Sequence, residues 1–470
     1  MQKYIQFLIF TLFFTIGSFA QDSRLDTIED QKIKKGLSFG VLPTITYNSD
    51  LGFQYGGLVD LYNYGEGDIY PKYYDRYFLE ISRFTKGSGK NHFSYESNRL
   101  ITGRTFLFDV MYQPDEQFDF LGANGYESVY NASWEDQANS DYKSKRFYKN
   151  QTKRLKIKAD ILNPISNDFS WLAGLEFFNY SVNTLDVDEY NDGREEDEKI
   201  PSTEEMPGLW DRYKKWGIID EKNAHGGSFL GLKLGIIYDT RDNWTNPSKG
   251  MLSEVVLVWV PEFIGNTHSG YVKLNISHKQ FLTIIQKKLT FAYRLGYSGN
   301  ITGEEPYFAL PIMYSAMLKN AATEGLGGQR TLRGIRRNRV VGDGEVYGNV
   351  EFRYKFWNFK MFKQHWYMAT NAFVDMGRVV QLLPLKEKVD EIETEFAPLT
   401  DVDYWGNYAI SGGDTKDDYF NFGAEKIHLS YGLGLRIAMN ENFVVGLDYG
   451  KTTNAQDGDS GMYIGLNYAF

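Results

Sequence analysis

Met462-Tyr463-Ile464-Gly465-Leu466-Asn467-Tyr468-Ala469-Phe470 ends the chain and decides its architecture. Met462, Ile464, Leu466, Tyr468 and Phe470 share one face of an extended segment, and Tyr463, Gly465, Asn467 and Ala469 share the other. One side therefore suits lipid and the other a crowded or polar interior. The pattern repeats upstream. Phe443, Val445, Leu447 and Tyr449 oppose Val444, Gly446, Asp448 and Gly450. Before them, Ile427, Leu429, Tyr431, Leu433, Leu435 and Ile437 oppose His428, Ser430, Gly432, Gly434 and Arg436. A short turn, Asn440-Glu441-Asn442, joins these two segments, and a longer connection at 452–460 follows. Carried backwards, the rhythm predicts strands at 37–47, 52–63, 76–86, 91–98, 103–112, 147–162, 168–182, 229–240, 250–260, 269–283, 288–299, 345–356, 366–379, 426–439, 443–451 and 461–470. The fold expected is all-β: a 16-stranded antiparallel transmembrane β-barrel over residues 36–470. An even count returns both ends to one side, with short turns such as Asn163-Pro164-Ile165-Ser166. The long segments 113–146, 183–228, 300–344 and 380–425 then fall on the other side, as extracellular loops or lumen fillings.

Composition agrees with a barrel and excludes several other classes. The 470 residues include 34 Tyr, 33 Phe and 9 Trp, with 46 Gly against 12 Pro, as expected of amphipathic strands anchored by interfacial rings. After the first twenty residues no stretch approaches the roughly 18 apolar residues of a membrane helix. A net charge of −10 gives no footprint for nucleic acid. The absence of cysteine removes disulfide scaffolds, thiolate metal sites and thiol catalysis together. His92, His225, His268, His278, His365 and His428 form no pair at helical ligand spacing, so neither a metal nor a cofactor is expected. The acidic stretch 185–206 reads as a solvated loop, with a divalent-cation site as its alternative.

Residues 1–20 read as a signal peptide. Lys3 gives the basic start, Ile5 to Ile16 the apolar segment, and Ser18-Phe19-Ala20 the cleavage site, with export expected to cleave after Ala20. Residues 21–35 would be a short periplasmic segment.

The segment from Gly327 to Phe356 carries more than alternation. It reads Gly327-Gly328-Gln329-Arg330-Thr331-Leu332-Arg333-Gly334-Ile335-Arg336-Arg337-Asn338-Arg339, then Gly342, then the strand Gly348-Asn349-Val350-Glu351-Phe352-Arg353. The next strand contains Phe373-Val374-Asp375-Met376-Gly377. Asn349, Glu351 and Arg353 share a face, as do Phe373, Asp375 and Gly377, so both acids can point inward. These motifs resemble the BamA/TamA superfamily of bacterial surface antigen proteins, outer-membrane insertases and two-partner-secretion transporters. The resemblance implies a loop folded into the lumen, where Arg333 and Gly334 form a latch with Glu351, Asp375 and Gly377. A guanidinium stripped of water there must meet carboxylates in fork geometry. Ile335 departs from the family, which prefers Phe or Tyr, and this weakens the aromatic packing of the tip. Tyr238-Asp239-Thr240-Arg241-Asp242-Asn243, with Pro247 and Gly250, resembles the family's periplasmic turn. Leu42-Pro43-Thr44-Ile45-Thr46-Tyr47 and Gly52, Gly56 and Gly57 resemble its opening hairpin.

The resemblance implies residence in the outer membrane of a Gram-negative bacterium, among outer-membrane lipids. It further implies a seam between first and last strands, marked here by Pro43 and Phe470, that opens sideways and templates a client strand. Pro43 lacks a ladder donor, which suits a poorly paired strand and equally a bent rim. Family members that insert or secrete proteins normally carry periplasmic POTRA domains, and the sequence is expected to have none. Two roles follow. The first is an assembly, insertion or translocation factor, with client outer-membrane proteins and periplasmic or lipoprotein subunits as partners. The second is an accessory or structural barrel, a docking partner or narrow channel without translocase activity. An enzyme is not expected, because no Gly-x-Ser-x-Gly elbow or motif-linked Ser and His occurs.

Overall fold

The computed structural model describes residues 33–70, 72–243, 246–263, 265, 270–315, 325–361, 364–395, 414–439, 443–466 and 468–470. The leader expected over 1–20, most of the 21–35 segment and the Asn440 turn lie outside them. Sixteen strands run in sequence order: β1 Leu37–Asn48, β2 Gly52–Asn63, β3 Asp75–Phe84, β4 Gly89–Ser97, β5 Thr105–Asp119, β6 Lys149–Pro164, β7 Phe169–Asn183, β8 Gly226–Asp239, β9 Gly250–Val260, β10 Tyr271–Ile285, β11 Leu289–Gly303, β12 Gly344–Met361, β13 Gln364–Gln381, β14 His428–Met439, β15 Phe443–Thr452 and β16 Ser460–Leu466. Each pairs antiparallel with its neighbours, and β1 meets β16, so the sheet is a closed barrel.

Period-two patterning sets which side chains meet lipid. On β6, Arg154, Lys156, Lys158 and Asp160 are buried toward the lumen, while Leu155, Ile157 and Ile161 take the outer face. Exposed rings on the outer faces include Phe39, Tyr55, Tyr77, Trp259, Phe352, Tyr354, Tyr431 and Tyr449. Aromatic side chains are the residues expected to face acyl chains and headgroups on a barrel wall.

The long loops build the main apolar core. Trp134 and Tyr148, Trp210, Tyr213 and Trp216, Phe308 and Ile312, and Leu385, Val389, Tyr419 and Phe420 come from four different loops. They pack together over Phe178, Tyr180 and Phe229 at the inner rims of β7 and β8. This lid covers the loop-bearing mouth. At the opposite mouth the connection between β8 and β9 reaches across at Asn246, whose Nδ2 donates to the Tyr367 hydroxyl of β13 at 2.6 Å. Tyr367 packs there with Ala369, Ala438, Val444 and Tyr468.

Two expectations need correction. β5 extends to Asp119 rather than stopping at 112, because Pro114 and Asp115 stay in register with β6 and a bulge before Phe118 absorbs the irregularity. More consequentially, β16 stops at Leu466, and neither Tyr468 nor Phe470 continues the lipid face. Tyr468 is buried, and its ring lies 4.1 Å from the Arg353 guanidinium and 4.8 Å from that of Arg436. Phe470 lies 5.0 Å from Arg353 and 5.1 Å from Arg294, and its backbone oxygen accepts from Arg353 Nη2 at 3.0 Å. Inward guanidiniums offer these rings cation–π partners that lipid does not, so the tail turns into the lumen.

Candidate functional site

Residues 325–343 descend into the lumen and bring Arg333 between β12 and β13. Arg333 Nε and Nη2 donate to the two oxygens of Asp375 at 2.8 and 2.9 Å, and its backbone N–H adds a third bond to Asp375 at 3.0 Å. Nη1 forms an ion pair with Glu351 at 2.5 Å that lacks hydrogen-bond alignment. The guanidinium stacks over Phe373 at 3.5 Å, and all three charged side chains are fully buried. Burial alone would favour the neutral form, but Asp375 and Glu351 outweigh it and hold Arg333 protonated beyond its ordinary range.

Small residues make room for this tip. Gly334 has φ +93°, and its N–H donates to the Tyr463 hydroxyl of β16 at 3.1 Å. A Cβ on Gly450 of β15 would stand 2.6 Å from the Arg333 carbonyl oxygen, and one on Gly377 would stand 2.7 Å from Leu332 Cδ1. Ile335 is fully buried with Leu326, Leu332, Val340 and Val379, so an aliphatic cluster occupies the place of the missing aromatic ring.

Sequence reasoning missed the rest of the anchor. Arg337 Nη1 binds Asp115 at 2.8 Å and Nε binds Asp119 at 2.7 Å, both at the end of β5. Arg336 pairs with Glu135 at 2.8 Å, and Arg339 donates to the carbonyls of Gln456, Gly125 and Ser128. Arg294 of β11 bonds Asn349 Oδ1 and the Arg330 carbonyl, both at 2.8 Å, while Asn349 donates to Thr331 O at 2.6 Å. The cluster of arginines at 330, 333, 336, 337 and 339 was the available signal. Their separate partners across the barrel were not readable from spacing.

The turn residues form a self-contained unit. Arg241 forks onto Asp239 at 2.9 and 2.8 Å. Asp242 accepts from the backbone of Ser248 and Lys249 and from the Ser248 hydroxyl, which hold its carboxyl below the usual range against the opposing effect of burial. Pro247 is buried, and Gly250 has φ +94° with Thr240 O in the place of a Cβ. Among the described residues no cluster of three or more His, Asp or Glu is arranged to hold a metal ion.

Among the described residues the contact between the end strands is short. Their ladder includes Tyr47↔Ile464 and Asn48↔Tyr463, whereas β1 and β2 pair from Leu37↔Asn63 through Asn48↔Gly52. Tyr64 N–H donates to Gly36 O and Ser49 N–H to Met462 O. Even-numbered residues of β1 therefore bond β2, and odd-numbered ones face β16. Pro43 is odd, so its missing donor lies on the β16 side. Carried further, the register sets Ile45 opposite Leu466 and Pro43 opposite Tyr468, the residue that has already turned inward. Pro43 thus lies on the β16-facing edge of β1, whereas the Phe470 ring lies against the inward Arg353 and Arg294.

Residues 112–470 match the Omp85 superfamily domain. No curated protein matches the chain. Among solved structures, the fold is similar to BamA from Haemophilus ducreyi lacking POTRA domains 1–3, at 14% identity and a TM-score of 0.52, over 93% of this chain and 71% of that one. It is also similar to CdiB from Escherichia coli, at 8% identity and a TM-score of 0.51, over 93% of this chain and 63% of that one. The family match spans most of the barrel, from within β5 through the lumenal loop to the last strand: the chain is an outer-membrane β-barrel that belongs to the Omp85 superfamily.

Proposed function

We propose that this barrel is an outer-membrane protein assembly factor that works sideways through the β1–β16 seam. One observation carries the reading: the short ladder between β1 and β16, with Pro43 removing a donor from the free edge of β1. Among the described residues no ladder pair joins Leu37–Ile45 to β16, and such an edge of N–H and C=O groups can template an incoming strand. The mouths favour this route over threading. The loop core covers one, and Asn246 with Tyr367 and Tyr468 crosses the other. In this reading Arg333, Asp375 and Glu351 hold the lumenal loop as a rigid backing for β12–β16 while the seam opens. Clients are outer-membrane barrels, and recruitment falls to periplasmic or lipoprotein subunits.

The test is quantitative outer-membrane proteomics after depletion of the protein in its own host. A joint fall of many unrelated barrels at steady transcript levels supports general assembly. Loss of one protein or complex alone overturns it in favour of an accessory, docking barrel.

A further inference from the structure

Most cations that line the lumen have a carboxylate. Lys158 and Lys233 share Asp160 at 3.8 and 3.0 Å, Lys273 meets Glu305 at 2.9 Å, Arg353 meets Glu351 at 2.7 Å and Arg436 meets Asp448 at 2.6 Å. Three differ. Among the described residues, Lys279, Arg294 and Arg330 form no ion pair. Lys279 of β10 and Arg294 of β11 stand directly opposite each other in the ladder, both on the inner face. Like charges in that position repel at a Cβ separation of about 5 Å. Arg330 joins them through its carbonyl, which accepts from Arg294 Nη2 at 2.8 Å. The charges within electrostatic reach of Lys279 are Glu254, Arg294, Arg241 and Arg330. Arg241 is already matched by Asp239. Asp375 and Glu351 also act on Arg294 and Glu80 acts on Arg330, but Arg333, Arg353 and Lys90 already match those carboxylates. Among the described residues this leaves Glu254, which accepts from Ser315 Oγ at 3.3 Å, as one negative charge against the three of Lys279, Arg294 and Arg330.

Arg294 is buried and Lys279 and Arg330 are half-buried, so an excess of like charge there is costly, and a counter-anion reduces the cost. Among the described residues the excess is two positive charges. Lysine supplies a compact ammonium and arginine a planar fork, the pair of donors that suits a tetrahedral oxyanion. We infer that Lys279, Arg294 and Arg330 form a lumenal binding site for a phosphate dianion, supplied as free phosphate or as the phosphomonoester headgroup of a lipid. Arg294 also holds the Arg330 and Thr331 carbonyls and lies against the Phe470 ring, so the bound anion sits where the lumenal loop meets the tail.

The experiment is titration calorimetry of the full chain in detergent at low ionic strength. The probes are inorganic phosphate and short-chain phosphatidic acid, with chloride at matched ionic strength as reference. The wild-type protein should bind one of the two phosphate probes saturably at one site. Phosphate alone identifies a free anion, and phosphatidic acid alone identifies a headgroup. Lys279→Gln should weaken binding at least tenfold, as should Arg330→Gln. Lys451→Gln, at an exposed position on β15, should leave it unchanged. Wild-type protein that binds neither probe above the chloride reference overturns the site, as does Lys279→Gln binding like wild type. The wild-type and Lys279→Gln comparison stands even if Arg330→Gln fails to fold.

Discussion

Arg333→Gln isolates the lumenal anchor most sharply. The substitution removes the fork onto Asp375 and the ion pair to Glu351. Glu351 keeps Arg353 at 2.7 Å, but Asp375 keeps only the Arg333 backbone N–H at 3.0 Å in a fully buried position. Stranding one member of a buried pair costs about 3–5 kcal/mol. Asp375→Asn should cost a similar amount, because it removes the carboxylate that the buried guanidinium forks onto and leaves Glu351 as its close counter-charge. The double variant should cost little more than either single one, giving a coupling energy close to one single variant's cost, about 3–5 kcal/mol. The assay is urea unfolding of the detergent-folded barrel, read as heat-modifiable mobility on gels, for wild type, both single variants and the double. Single variants that unfold at the wild-type midpoint would refute the anchor, as would effects that add within about 0.5 kcal/mol.

Gly450→Ala should destabilise the seated loop by about 1–3 kcal/mol, since the added methyl meets the Arg333 carbonyl and the Gly334 nitrogen rather than a yielding side chain; equal unfolding midpoints would contradict this. Asp50 lies in the turn after β1, and burial, then Asp119, push its carboxyl up from 3.8 to about 6 despite Arg337 and Lys149. Its folded value lies above its unfolded one, so stability should fall as pH rises from about 4 to 6 and level off above that. Asp50→Asn should flatten this slope and stabilise the barrel at neutral pH by up to about 3 kcal/mol; an unchanged pH profile in unfolding experiments would count against it. Arg353→Gln removes the hydrogen bond and cation–π contacts that hold the tail. Proteolysis near residue 467 should accelerate in that variant, and wild-type cleavage rates would contradict the clamp.

The wall was legible because lipid imposes one rule on every strand. A residue facing acyl chains must be apolar and its neighbour faces inward, so alternation alone located the strands, most to within a few residues. The same rule put Glu351 and Asp375 on inner faces, and the resemblance carried by the 327–356 segment supplied Arg333 as their partner. Legibility failed where partners are distant in sequence. Nothing in Arg337 announces Asp115 and Asp119, more than two hundred residues away, and the short reading of β5 hid both acids. The tail failed for another reason. Tyr468 and Phe470 keep the alternating phase, but phase says nothing of the guanidiniums of Arg353, Arg436 and Arg294 or of the proline facing Tyr468, and these decide where the rings go. The lid of the four long loops was equally unreadable, because its core joins aromatics from segments with no common period.

The central claim is that the β1–β16 seam must open for function. Thr46 and Gly465 fall opposite each other when the observed register is carried on, at a position between ladder hydrogen bonds where a cross-strand disulfide fits. Thr46→Cys with Gly465→Cys should therefore lock the seam when oxidised and release it when reduced. The measurement is folding of outer-membrane barrel clients in membranes that contain this variant, before and after a thiol reductant. The account predicts that client assembly stops in the oxidised protein and returns on reduction, with each single-cysteine variant active under both conditions. Undiminished assembly by the fully cross-linked protein would contradict it.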